Sequence, residues 1–142
     1  MGSPILLYSV AIAAFLIYVP YAITAYGRFV VAKSLSDPMV MFAKPRTFTD
    51  KLPGYAQRAS WAHQNAFESF ALYAPAALMA YVTGQSSTVV FWTATAYLTA
   101  RLLFSVFYIL DMPPLRSLMF GVGSLSIGIL FWLSCQSVWL SS

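Results

Sequence analysis

Charge is scarce in this sequence. Its 142 residues include 8 lysines and arginines and 4 acids, so 8% of the chain is charged while 60% is hydrophobic. Soluble domains carry about 25% charged residues. So few charges do not cover a water-exposed surface, and the composition therefore excludes an ordinary soluble domain.

Cysteine and histidine are scarce as well. One cysteine excludes a disulfide framework, and one histidine without a cluster of acids offers no metal site. The many large apolar side chains exclude disorder. The formal net charge of +4 is too small and too scattered for a nucleic-acid interface. These exclusions leave the class of integral membrane proteins.

Long uncharged segments are what the sequence does contain. About 20 apolar residues cross the hydrocarbon core of a bilayer. The sequence predicts four such spans within a single domain of residues 1–142, at residues 5–26, 56–82, 89–110 and 114–140. Because the connections after the second and third spans are short, we expect an all-α, integral membrane, up-down four-helix bundle.

Local signals refine these spans. Ser3 and Pro4 predict the start of the first helix, and Gly27 predicts its end. Prolines inside the first and second spans, Pro20 and Pro75, predict kinks. Asp111 is expected to cap the fourth helix. That helix has a small-residue stripe that favours close helix packing, formed by Ser117, Gly121, Ser124 and Gly128.

The charges also predict the topology. The loop of residues 28–55 carries five lysines and arginines against two aspartates, so the positive-inside rule directs it to the cytoplasm. Both termini then lie on the opposite side. The short termini favour a bacterial inner membrane over the endoplasmic reticulum. We therefore expect a multi-pass protein surrounded by membrane lipid.

Ionisable and amide side chains inside the spans are the candidates for chemistry, because such groups are costly there. At helical spacing, one face of the second span carries Arg58, Trp61, Gln64, Asn65 and Glu68. His63 lies off this face and is expected to be packed or hydrogen-bonded. Seven residues apart on the third span, Arg101 and Tyr108 point the same way.

Three of these patterns carry a resemblance. Arg58-x6-Asn65-x2-Glu68, Arg101-x6-Tyr108 and Pro-x-Arg116-Ser117 closely resemble the MAPEG family, the membrane-associated proteins in eicosanoid and glutathione metabolism. The resemblance covers nearly the whole chain. It implies a homotrimer that binds glutathione between neighbouring subunits, near the cytoplasmic side of the membrane.

The resemblance also implies roles for single residues. Asn65 and Glu68 would hold the peptide, with Glu68 receiving its ammonium group, and Arg28 would bind a carboxylate. Arg58, Arg101 and Tyr108 complete the implied glutathione-binding set. The implied catalytic residues, which flank and activate the sulfur, are Arg116, Ser117 and Tyr108.

The resulting hypothesis is a glutathione-dependent membrane transferase or peroxidase acting on lipophilic electrophiles or lipid peroxides that enter from the bilayer. Trp61 and Gln64 stand where catalytic relatives carry basic residues, which favours an alternative: a non-catalytic lipid-binding or scaffold protein of the same fold. A third hypothesis is a proton-coupled exporter that uses Glu68. Two structural alternatives also stay open, a buried ion pair of Glu68 with Arg58 or Arg101, and Tyr108 as an interfacial anchor.

Overall fold

The computed structural model describes residues 1–35 and 37–141, and the regular elements within them are all helical. Helices α1 (Pro4–Leu16) and α2 (Tyr18–Ala32) follow one another directly. A short helix α3 (Met39–Ala43) and a 3-10 helix (Pro45–Lys51) come next. The three remaining helices are long: α4 (Gly54–Val82), α5 (Thr88–Ile109) and α6 (Pro113–Ser141). The all-α prediction is confirmed.

Helices α1 and α2 form one helical run that is interrupted at Ile17. Ser3 is the N-cap residue and Pro4 the first helical residue, as predicted. The interruption lies just before Pro20. A proline has no N–H for the preceding turn, and its ring crowds the carbonyl four residues earlier, so the helix is disturbed on that side. Pro75 differs, because it lies inside the continuous helix α4.

Gly27 does not end the first span, and that prediction was wrong. The helix continues to Ala32, so Arg28 lies inside α2 rather than at its end. Gly27 is buried against α4, where a methyl group on it would overlap the Cβ atom of Ala56. This glycine therefore permits a close approach of two helices and does not serve as a C-terminal cap.

The segment between α2 and α4 is folded against the start of α4. Met41 and Leu52 are 1% and 4% exposed. The side-chain amide of Gln57 donates hydrogen bonds to the carbonyls of Asp50, at 3.1 Å, and Leu52, at 2.8 Å. The end of the 3-10 helix is thereby fixed to the first turn of α4.

Helices α4 and α5 end in the same way. Beyond α4, the N–H of Gln85 bonds to the carbonyl of Ala80, and Gly84 has a φ of 78°. Beyond α5, the N–H of Met112 bonds to the carbonyl of Phe107, and Asp111 has a φ of 60°. Both are Schellman motifs. Asp111 therefore terminates α5, which corrects its predicted role as the cap of the fourth span.

The long helices pack in an alternating, antiparallel order. Along α4, successive contacts with α2 and α1 are made by Ala56 to Gly27, His63 to Ile17, and Tyr73 to Ser9. Along the other side of α4, the contacts with α5 are made by Arg58 to Ile109, Asn65 to Arg101, and Ser69 to Tyr97. As the residue number rises along α4, the number of the contacting residue falls on each neighbour. Helix α4 is therefore antiparallel to α1 and α2 on one side and to α5 on the other.

Helix α6 follows α5 back and buries a face that the sequence did not single out. Its buried residues include Gly123, Ser126, Ile127, Leu130 and Ser134. The predicted stripe points the other way: all four members are exposed, and a Cβ atom on Gly121 or Gly128 would meet nothing within 4 Å. Within the described chain, no helix packs closely against Gly121 or Gly128, so the predicted role of the stripe in close helix packing stays a prediction.

Three helical segments are long and apolar enough to cross a membrane among the described residues: Pro4–Ala32, Thr88–Ile109 and Pro113–Leu140. They support a membrane protein by length and composition, and they coincide with the first, third and fourth predicted spans. Helix α4 has 29 residues but is more polar than the other long helices. It packs against α1, α2, α5 and α6. Its own membrane span stays a prediction.

Candidate functional site

Arg28 lines a large cavity whose walls are partly polar. This cavity of about 710 Å³ lies between α2, the 3-10 helix and α4. Arg46, Trp61, His63 and Gln64 contribute to its walls. The Nε atom of Arg28 is buried and has no hydrogen-bond partner among the described residues. Arg28 thus lines the cavity without using all of its hydrogen-bonding capacity inside the described chain.

Asn65 and Glu68 line a second cavity of about 190 Å³ between α4 and α6. Glu68 is exposed, and its carboxylate accepts a 3.4 Å hydrogen bond from the side-chain amide of Gln64. The amide oxygen of Asn65 instead accepts a 3.0 Å hydrogen bond from Arg101. Of the described residues that line this cavity, Glu68 alone carries a charge.

Arg101 is held inside the chain. It is 5% exposed, and its guanidinium lies 4.4 Å from the centre of the Phe104 ring as well as on Asn65. Gly123 on α6 leaves room for the arginine stem, because a Cβ atom there would lie 3.6 Å from its Cδ atom. A buried guanidinium needs such partners to offset its desolvation.

Tyr108 and Arg116 meet across the turn between α5 and α6. The Arg116 guanidinium lies 4.3 Å from the centre of the Tyr108 ring, and both residues are half-buried. Ser117 is the next residue of α6 and is exposed. A guanidinium over an aromatic face is attracted by the ring quadrupole and keeps its charge. The turn thus presents a cation on the face of a phenol ring, and the hydroxyl-bearing residue that follows is exposed.

Arg58 acts on the same turn from α4. Its Nε donates a 2.9 Å hydrogen bond to the carbonyl of Ile109, and its Nη1 lies 3.7 Å from a carboxylate oxygen of Asp111. This is the one ion pair among residues 1–35 and 37–141. Glu68 therefore has no ion pair with Arg58 or Arg101 in this part of the chain, and that structural alternative is wrong.

His63 lies where a packed, hydrogen-bonded residue was expected. Its Nδ1 is 2.7 Å from the carbonyl oxygen of Ile17, at the break between α1 and α2. Its ring also contacts Tyr21 and Phe67, with centroid distances of 5.0 and 5.1 Å. Within the described chain, no group of three histidine, cysteine or acidic side chains is arranged to hold a metal ion.

The predicted site residues do not converge on one point of the single chain. Arg28 lines one cavity, Asn65 and Glu68 line another, and Tyr108 with Arg116 lies at the turn. A series of aromatic rings links the second cavity to the turn. Phe120 lines the cavity, its ring centre lies 6.4 Å from that of Phe104, and the Phe104 ring centre lies 5.5 Å from that of Tyr108.

One further candidate, Arg46, had no signal in the sequence beyond its charge. It was interpreted with its neighbours as a topology charge, but the 3-10 helix brings it to the cavity of Arg28. A loop without hydrophobic periodicity gives no indication of where its side chains lie.

Apolar spans, ionisable groups between the helices and a basic cavity at one end define an all-helical membrane protein with a polar site. The model of the MAPEG family matches residues 5–135, and the chain belongs to that family. Comparison with the curated proteins and with the solved structures gave no match.

Proposed function

We propose that this chain is a glutathione-dependent transferase or peroxidase that directs the thiol of glutathione at lipophilic electrophiles or lipid peroxides. Membership of the MAPEG family supports this chemistry, because the family includes glutathione transferases. Lipophilic acceptors partition into the bilayer, which explains why such an enzyme would be built from apolar helices.

The observation that carries the proposal concerns three of the predicted site residues, Arg28, Glu68 and Arg116, whose side chains form neither an ion pair nor a hydrogen bond to another helix among the described residues. Glutathione at neutral pH has two carboxylates and one ammonium group. Arg28 and Glu68 complement one carboxylate and the ammonium group, and Arg116 complements the negative charge of the thiolate that forms when the thiol ionises. Arg58 and Arg101, by contrast, already have partners inside the chain, and we assign them a positioning role.

Each residue then has a physical task. Glu68 would accept the ammonium group, and Arg28 would bind a carboxylate. When bound, glutathione supplies a nucleophilic sulfur, whose thiol has an ordinary pKa of about 8.5. Arg116 would lower that pKa by stabilising the negative charge, and one unit corresponds to about 1.4 kcal/mol. A hydroxyl group of Ser117 or Tyr108 would donate a hydrogen bond to the sulfur.

We also propose that the working unit is a homotrimer in which α4 is the fourth membrane span and the basic segment after α2 faces the cytoplasm. Two features support the assembly. The complementary charges lie in separate places on one chain, and a neighbouring subunit would bring them together. The small-residue stripe of α6 is exposed, and a Cβ atom on Gly121 or Gly128 would meet nothing within 4 Å among the described residues.

One observation favours the alternative of a non-catalytic lipid-binding protein. A groove of about 430 Å³ between α5 and α6 is lined by apolar side chains such as Val89, Trp92, Leu125 and Ile129. A groove of this character fits an acyl chain better than a peptide. Under this alternative, the protein would retain lipid and show no interaction with the thiol.

The deciding experiment is ultraviolet absorbance of the purified protein with glutathione at neutral pH. The transferase proposal predicts thiolate absorbance above that of free glutathione, together with heat of binding in calorimetry. The S-methyl derivative is the matched control, because it has no ionisable thiol. Absence of both signals at millimolar glutathione would reject the proposal in favour of the lipid-binding alternative.

A further inference from the structure

The cavity of about 710 Å³ between α2, the 3-10 helix and α4 has walls of one charge sign. Among the described residues, its lining includes Arg28 from α2 and Arg46 from the 3-10 helix and contains no carboxylate. Among the described residues neither arginine forms an ion pair. Two cations facing one cavity repel each other unless an anion lies between them. The cavity is therefore electrostatically prepared for a negative group.

Arg46 comes from a defined position. Pro45 is the first residue of its helix, and the hydroxyl of Thr47 donates a 2.8 Å hydrogen bond to the carbonyl of Lys44. The other end of this helix is fixed to α4 by Gln57. Arg46 is thus part of a folded segment whose two ends are hydrogen-bonded, which lowers the entropic cost of using it in binding.

The rest of the wall suits a ligand that is partly polar and partly apolar. Trp61 and Phe67 supply aromatic surface, and Ser60 and Gln64 supply hydrogen-bonding groups. The volume lies within the range of about 300–1,000 Å³ that is typical of small-molecule sites. The side chain of Arg28 is not committed elsewhere, because its buried Nε has no hydrogen-bond partner among the described residues.

We propose that Arg46, together with Arg28, binds the carboxylate or phosphate group of a small ligand in this cavity. A guanidinium group presents paired N–H donors that match either oxyanion. The anion has two possible sources. A carboxylate of glutathione is one, and this branch rests on the proposed function; the headgroup of an anionic phospholipid is the other and is independent of it.

The test compares Arg46→Gln with Lys44→Gln in the full-length protein. Lys44 is an exposed neighbouring cation that does not line the cavity, so its variant removes the same charge from the same segment. Circular dichroism verifies that both variants fold. Binding is measured by calorimetry with glutathione and with its glycine ethyl ester, which lacks one carboxylate. The preference of each protein for phosphatidylglycerol over phosphatidylcholine is measured in nanodiscs that contain both lipids.

If glutathione is the source, Arg46→Gln weakens its binding by about tenfold, while Lys44→Gln binds as the wild type does. The ester then identifies the carboxylate: its binding is nearly unchanged in Arg46→Gln if the arginine contacts the glycine carboxylate, and it weakens as well if the arginine contacts the γ-glutamyl carboxylate. If the lipid is the source, Arg46→Gln loses the preference for phosphatidylglycerol and binds glutathione normally. If the wild type shows neither thiolate nor binding of glutathione but prefers phosphatidylglycerol, the transferase proposal is rejected and the proposal of an anion site in this cavity is supported. Equal behaviour of the two variants on both probes overturns the proposal.

Discussion

The guanidinium of Arg101 donates a 3.0 Å hydrogen bond to the amide oxygen of Asn65 and so ties α5 to α4. Arg101 is 5% exposed, whereas Asn65 lies at the edge of the smaller cavity. A residue implied to hold the ligand therefore also satisfies a buried cation. Its substitution would alter stability as well as binding, and the two effects have to be measured separately.

Asn65→Ala is expected to lower stability by about 1–3 kcal/mol, because it leaves a buried guanidinium without its acceptor. Asn65→Asp keeps an acceptor and adds a charge of opposite sign, so its stability should match or exceed that of the wild type. The measurement is the thermal denaturation midpoint in detergent. Gln64→Ala, on an exposed neighbour, is the control, and equal midpoints for it and Asn65→Ala would contradict the prediction.

The helices could be predicted because the lengths of the apolar segments and the residues typical of helix ends specify them. The ends of α4, α5 and α6 lie within two residues of the sequence-based limits. The first span extended further than expected, because Gly27 is explained by a contact with Ala56 that is distant in sequence. A glycine that ends a helix and one that allows close packing are alike in the sequence, and only the neighbouring helix distinguishes them.

The candidate site could be predicted only as a list of costly side chains. The helical spacing of α5 predicts that Arg101 and Tyr108 point the same way. The hydrogen bond of Arg101 to Asn65 depends instead on the register between α4 and α5. The same limit applies to Asp111, whose partner Arg58 is far along the chain. Arg46 was beyond sequence reasoning, since the cavity it lines is formed by a segment without periodicity.

Asp111 provides a test of backbone conformation against charge. Its φ of 60° is tolerated by aspartate and asparagine but costs alanine about 1–2 kcal/mol. Its ion pair with Arg58 is long and its side chain is 63% exposed, so the pair contributes little. We expect the thermal midpoint of Asp111→Asn to be close to that of the wild type, and the midpoint of Asp111→Ala to be lower. An Asp111→Asn variant as unstable as the alanine variant would show that the charge dominates.

The contact of Gly27 with Ala56 predicts a compensating pair. Gly27→Ala should destabilise the chain by about 1–3 kcal/mol, because the new methyl group overlaps the Cβ atom of Ala56 and separates α2 from α4. Adding Ala56→Gly removes the overlapping atom and should recover most of the loss in thermal midpoint. Failure of the second substitution to restore stability would contradict this packing.

The exposed stripe of α6 gives a separate prediction on assembly. Gly121→Leu places a large side chain where nothing lies within 4 Å in the chain itself, so the monomer fold should tolerate it. In a trimer that packs through this stripe, the substitution would weaken association. Light scattering of the detergent complex should show smaller particles with unchanged helical content. An intact trimer would locate the subunit interface elsewhere.

Glu68→Gln is expected to weaken glutathione binding by about tenfold or more, because the ammonium group loses its counter-charge. The carboxylate is exposed and has no ion-pair partner in the described chain, so the fold should be unaffected. Asp50→Asn removes an exposed carboxylate from the 3-10 helix and is the matched control. Calorimetry with glutathione compares the two variants, and similar affinities would remove Glu68 from the site.

Arg116→Ala tests thiol activation through its dependence on pH. Arg116 lowers the pKa of the bound thiol in the proposed mechanism, so its loss raises that pKa and depletes the thiolate at neutral pH. Each unit corresponds to about a tenfold loss of thiolate. The kcat/KM for a chloronitrobenzene acceptor should fall by at least about tenfold near pH 7.

The loss should shrink as the pH rises through the ordinary thiol pKa of about 8.5, because the thiol then ionises without assistance. A purely structural role for Arg116 would lower activity equally at every pH. Arg116→Lys keeps the charge but loses the planar contact with Tyr108, so an intermediate rate is expected. Lys44→Ala is the control for a lost surface charge. Full activity of Arg116→Ala at pH 7 would assign thiol activation to another residue.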